Sequence, residues 1–108
     1  MEQSIKKIEN DMSILNPNLA AENRVLLSGY YSRMSSELEE ILAVKPTRWL
    51  LMRKEVKTNR DADMMWDGGE MGILEMKLKL RMKKVEKMIS ALSSYLRNAE
   101  NQARFTNV

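Results

Sequence analysis

Two clusters of cations are the groups in this sequence best equipped for chemistry, and the chemistry they suit is binding an anion. Lys77, Lys79, Arg81, Lys83, Lys84 and Lys87 fall within eleven positions, with Glu75 and Glu86 as the nearby counter-charges. At helical spacing Lys77 and Lys84 share a column, and Lys83 and Lys87 lie beside it, away from the apolar residues. Such a stripe tracks a phosphate backbone and releases its counterions on binding. The plain alternative is the wet outer face of a coiled coil, which carries Lys and Glu in plenty. The second cluster, Lys45, Arg48, Arg53, Lys54, Lys57 and Arg60, is interleaved with Trp49. Arg53, Lys57 and Arg60 step by 4 and 3, as one helical face would, and Trp49 precedes Arg53 by a turn. A flat ring beside guanidinium groups serves single-strand binding: bases stack and phosphates are neutralised. The competing role for Trp49 is a core anchor beside Met52 and Val56.

Other chemistry is poorly supplied. The chain has no cysteine and no histidine, which removes disulfides, thiolate nucleophiles, imidazole bases and the usual zinc ligands. Asp61, Asp63, Asp67 and Glu70 suggest a calcium loop, but the sixth place counted from Asp61 is Trp66, where that loop needs glycine. Helix-end carboxylates beside a turn are the better account. Gly68, Gly69 and Gly72 lack the following Lys-Ser/Thr of a phosphate-binding loop. Ser90, Ser93, Ser94 and Tyr95 have no base at hand. The expectation is a protein without catalytic residues, metal, cofactor or small-molecule substrate.

The charge is unevenly placed. Residues 1–44 carry 4 Lys/Arg against 7 Asp/Glu, and residues 45–108 carry 14 against 8, so an acidic half precedes a basic one. One domain of 108 residues is expected, with an acidic N-terminal part and a basic helical hairpin from Lys45. The opening MEQSIKKIEN has no apolar run of the kind a signal peptide needs. No window approaches the ~20 apolar residues of a membrane span. A cytoplasmic protein that does not contact membrane is expected. Ten methionines and few aromatics suit long helices and adaptable interfaces.

The elements that must carry these groups read as helices. Ile5, Ile8, Met12 and Leu15 mark a first short helix, ended by Asn16-Pro17-Asn18, with Asn18 able to cap the next. Leu27, Tyr31, Met34, Leu38 and Ile41, with Leu42 beside them, mark a second from about Leu19 to Val44. Lys45-Pro46 ends or kinks it. From Thr47 to Trp66 the pattern is helical but weaker, and Asp67-Gly68-Gly69 breaks it. The last segment has the strongest signal. Met71, Leu78, Val85, Leu92 and Ala99 recur every seven residues, with Met82, Ile89, Leu96 and Ala103 offset by four. Glu75 is the one polar residue in that second column. About 33 helical residues would span roughly 50 Å, with fraying after Ala103. Ile73 and Leu80 lie opposite this seam, which suggests a second partner helix.

The segments KPTRWLLMRKEVKT, WDGGEMG and KLKLRMKKVEKMISALSSYLRNAENQARF resemble small helical proteins of phage genomes. More loosely, the long closing helix and the ending ARFTNV are similar to the recombination mediator proteins of large phages. That resemblance covers about half the chain. It implies a helical, oligomeric protein that loads a recombinase onto single-stranded DNA in competition with a single-strand-binding protein. It carries a nucleic-acid role to Lys57 and Arg60 before the Gly-Gly turn and to Lys83, Lys84 and Lys87 after it. The longer polar insertion that those proteins have between their last two helices is missing here.

Together these readings predict an all-α protein of three or four helices, antiparallel and self-associating, with a long coiled-coil-type C-terminal helix. Its core or oligomer seam is Leu78, Met82, Val85, Ile89, Leu92 and Leu96. Single-stranded nucleic acid would lie on Arg53, Lys57, Arg60, Lys77, Lys83, Lys84 and Lys87, with Trp49 for stacking. In the host cytoplasm such a protein would scaffold a recombination or replication enzyme. A coiled-coil adaptor, or an inhibitor of a host enzyme acting through the acidic second helix, is the alternative.

Overall fold

The computed structural model describes residues 2–11 and 16–106. The described chain is all-α: α1 (Glu2–Asp11), α2 (Pro17–Glu55), α3 (Asn59–Gly68) and α4 (Glu70–Thr106). α1 is the expected short amphipathic helix, with Ile5 and Ile8 buried one turn apart. Met12 and Leu15 lie outside the described residues.

The start of α2 corrects the expected cap. Asn16, not Asn18, closes the first turn: its side-chain oxygen accepts the Leu19 N–H at 2.9 Å and its carbonyl accepts the Ala20 N–H. Pro17 is the first helical residue, where its missing N–H costs nothing and its fixed φ suits the helix. The far end corrects a second expectation. α2 neither ends at Val44 nor breaks at Pro46 but runs for 39 residues to Glu55. Pro46 removes one backbone hydrogen bond, to the carbonyl of Leu42. Both residues are exposed, so water can satisfy that carbonyl. One turn on either side, Ile41 is buried and Lys45 and Trp49 are anchored by side-chain bonds. Those attachments outweigh the single lost bond.

The helical pattern from Thr47 to Trp66 is in fact two helices. Val56, Lys57 and Thr58 form a bend, and Thr58 caps α3, its hydroxyl accepting the Asp61 N–H at 3.1 Å. α3 ends at Gly68 as the Gly-Gly pair predicts, with the Gly69 N–H bonded to the Trp66 carbonyl. Gly72 sits close against this corner. A Cβ there would come within 1.8 Å of the Trp66 carbonyl oxygen, so only glycine lets α4 begin so near α3.

α4 is one unbroken helix of 37 residues and runs past Ala103 to Thr106. α2 lies antiparallel beside it: Tyr31 bonds to Glu86, and Lys45 to Glu75.

The chain packs as two compact units, one of Met1–Ser32 with Lys83–Val108 and one of Arg33–Met82. The charge boundary at Val44/Lys45 lies inside the second. In the first unit Ile5, Ile8, Ala20, Leu27, Val85 and Leu92 form the core, joined by Met88. In the second, Met34, Ile41, Ala62, Trp66 and Leu78 do so. Each fully buried Leu, Ile or Val contributes roughly 1.5–3 kcal/mol. The heptad column Leu78, Val85 and Leu92 is therefore core of this chain, while Met82, Ile89 and Leu96 are half-buried at its margin.

Candidate nucleic-acid interface

In the second unit the basic segment does not form the single face that its spacing suggests. Lys57 lies in the bend and Arg60 in the first turn of α3, so the run Arg53, Lys57, Arg60 is split between two helices. Arg53 is engaged: its Nε donates to Asn59 at 2.7 Å and its guanidinium to the Val56 carbonyl at 2.9 Å, closing the bend. Lys57 and Arg60 are exposed and make no ion pair among the described residues.

Trp49 fits neither reading fully. It is half-buried, and its indole N–H donates to Asp63 at 2.7 Å. A carboxylate bonded to the ring edge repels phosphate, which weighs against base stacking there. The core role belongs instead to Trp66, which is 2% exposed and the largest fully buried side chain. Sequence reasoning assigned Trp66 no role. The signal was its four-residue spacing from Ala62, the other buried residue of α3.

Lys45 lies with its ammonium 5.4 Å from the Trp66 ring centre and bonds to Glu75 at 2.9 Å. Lys79 reaches the other Glu75 oxygen at 3.4 Å. The polar interruption in the seam is thus a buried carboxylate held between two lysines. Burial alone would raise the Glu75 pKa. The hydrogen bond from Lys45 and the charges of both lysines outweigh it, so the carboxyl sits below its ordinary value. Lys45 is thereby engaged within the chain, whereas Lys79 keeps about half its side chain exposed. Arg81 is half-buried and engaged within the chain.

In the first unit Lys84 is paired with Glu9 of α1, while Lys83 and Lys87 make no ion pair among the described residues. Along α4 itself, Lys77, Lys83 and Lys87 are exposed and turned away from the buried column. Within the first unit a groove of about 490 Å³ brings Arg24 and Arg97 together, with Glu100 on its wall. Their separation in sequence gave no signal, and only antiparallel packing joins them. Nearby, Tyr31 donates its hydroxyl to Glu86 at 2.7 Å, and that hydrogen bond, with slight burial and the carboxylate charge, raises the phenol pKa.

Asp61, Asp63, Asp67 and Glu70 do not converge. No group of three or more metal-ligating side chains occurs among the described residues. No described helix is long and apolar enough to cross a membrane. What the fold and these groups define is an all-α protein with exposed cationic and apolar surfaces. Comparison with protein-family models, with curated proteins and with solved structures gives no match.

Proposed function

We propose that the chain is a binding and assembly protein whose ligand is single-stranded nucleic acid, held through the exposed lysines of α4. It would act as an accessory to recombination or replication, the role implied by its resemblance to phage mediator proteins. The supporting observation is that Lys77, Lys83 and Lys87 stay exposed and unpaired while Lys45, Lys79 and Lys84 are used inside the chain. From Lys77 to Lys87 they span about 15 Å of helix. Arg24 and Arg97 add a further cationic patch in the first unit. Such binding is electrostatic and sequence-tolerant, so it declares itself through salt.

Fluorescence anisotropy of a labelled oligonucleotide, titrated at several salt concentrations, tests this. Three phosphates neutralised on a single strand predict a log–log salt slope of about −2. The double variant Lys83→Glu, Lys87→Glu should bind at least tenfold more weakly, with a slope closer to zero. Wild-type protein that ignores the oligonucleotide at low salt would end this reading.

One observation favours the second reading, a protein-interaction module. Ten of the twelve exposed large apolar side chains among the described residues belong to the second unit. Leu50, Leu51, Met64 and Leu80 are each more than half exposed. A small domain rarely concentrates so much apolar surface without something to cover it.

A further inference from the structure

The outer face of α4 in the first unit carries a pattern of its own. Lys83, Lys87, Ser90, Ser94, Arg97 and Asn101 follow one another at steps of 4 and 3, and all six are exposed. Each stands two positions from the seven-residue column of Val85, Leu92 and Ala99. At roughly 100° per residue that places it about 160° round the helix from the column. Solvated faces of long helices mix both signs of charge, whereas this one holds cations and neutral polar groups alone. The carboxylates of this stretch of α4, Glu86 and Glu100, lie to one side of it, and the Tyr31 hydroxyl donates to Glu86.

Seven positions from the Tyr31–Glu86 bond on each helix stand Arg24 and Ser93, level with each other across the antiparallel pair. They line a groove of about 490 Å³ with Arg97, and Glu100 shares its wall. Neither arginine makes an ion pair among the described residues, with Glu100 or with any other carboxylate. Two guanidinium groups around one groove repel each other, and an anion held by both turns that repulsion into attraction. Phosphate suits the pair: each arginine can offer it two parallel N–H···O bonds, and the Ser93 hydroxyl is a further donor. Lysines hold phosphate as point charges, without fixing its orientation.

From this we infer that Arg24, Ser93 and Arg97 anchor one phosphate of the single strand, which runs from there along the outer face of α4 to Lys87 and Lys83. Arg97 belongs both to the groove and to the outer stripe, so the path is continuous. From Lys83 to Arg97 it covers about 21 Å of helix. This inference rests on the nucleic-acid reading and adds to its three lysine-held phosphates a fourth that is fixed in place.

Fluorescence anisotropy of a labelled oligonucleotide with full-length protein tests it. With a fourth phosphate engaged, the log–log salt slope of the wild type should reach about −2.8. Arg24→Gln and Arg97→Gln, both at exposed sites, should each weaken binding about tenfold with unchanged helical circular dichroism. The double variant should be little weaker than either, since both side chains hold one phosphate, and its slope should return to about −2. Arg97→Lys, which keeps the charge and loses the fork, should also bind more weakly. Lys6→Gln, which removes the same charge from an exposed position of α1, should change affinity less than about twofold. Arginine variants that bind no more weakly than Lys6→Gln overturn the anchor and leave the lysine reading intact. Losses that simply add in the double variant put the two arginines on separate phosphates and overturn it too. A wild type that ignores the oligonucleotide at low salt overturns the reading and the anchor together.

Discussion

Glu75 is the residue where chemistry and packing meet most closely. Its side chain is 9% exposed and lies between Lys45 and Lys79. Removing one partner of a buried pair leaves the other charge desolvated and uncompensated, which costs more than the pair contributes. Because Lys45 is about one-third exposed, the penalty is partly screened, and Glu75→Gln should destabilise the protein by about 1–2 kcal/mol in urea denaturation. The pH dependence has a definite sign. The folded carboxyl lies below its ordinary value of 4.5, so the unfolded chain takes up protons first as pH falls. The contribution is complete above that ordinary value and disappears as pH drops through the depressed folded one. Wild-type stability should therefore fall more steeply than that of Glu75→Gln below about pH 4.5. Parallel curves would show that the carboxylate is not engaged. The sequence exposed this residue as the lone polar position in an apolar column, but its partners come from α2 and from the turn that follows, and only packing reveals Lys45.

Among the helices, α2 is the one that defied local rules. Pro46 removes a hydrogen bond in mid-helix, at a propensity cost of up to about 3 kcal/mol relative to alanine. Part of that is offset because proline also stiffens the unfolded chain. Pro46→Ala should stabilise the protein by about 1–2 kcal/mol, read as a rise in the urea midpoint at constant slope. A loss of stability would mean that α2 depends on a bend at this point. α4 was legible from Leu78, Val85 and Leu92 because a seven-residue apolar repeat is a long-range pattern that no single position decides. The break at Val56–Thr58 was not, since Thr58 is an ordinary helix-surface residue until its hydroxyl turns to cap Asp61. The same applies to the basic segment: Arg53, Lys57 and Arg60 have helical spacing, but the chain bends between them. Trp49 looked like the aromatic of interest because it stands among cations, whereas Trp66, beside Asp67 and the glycines, is the one buried.

For the molecule as a whole, the proposed nucleic-acid contact is a sum of separate phosphate contacts, so its salt dependence should count the lysines that make it. Lys83 and Lys87 are exposed on α4 and form no ion pair among the described residues. Each phosphate contact removed from a single strand should flatten the log–log salt slope by about 0.7. Lys83→Gln should therefore lower the magnitude of the slope in fluorescence anisotropy by about 0.7, and the double variant Lys83→Gln, Lys87→Gln by about 1.4. Affinity lost at an unchanged slope would mean that these lysines support the fold and do not touch phosphate, and the exposed cations of α4 would then serve a different partner.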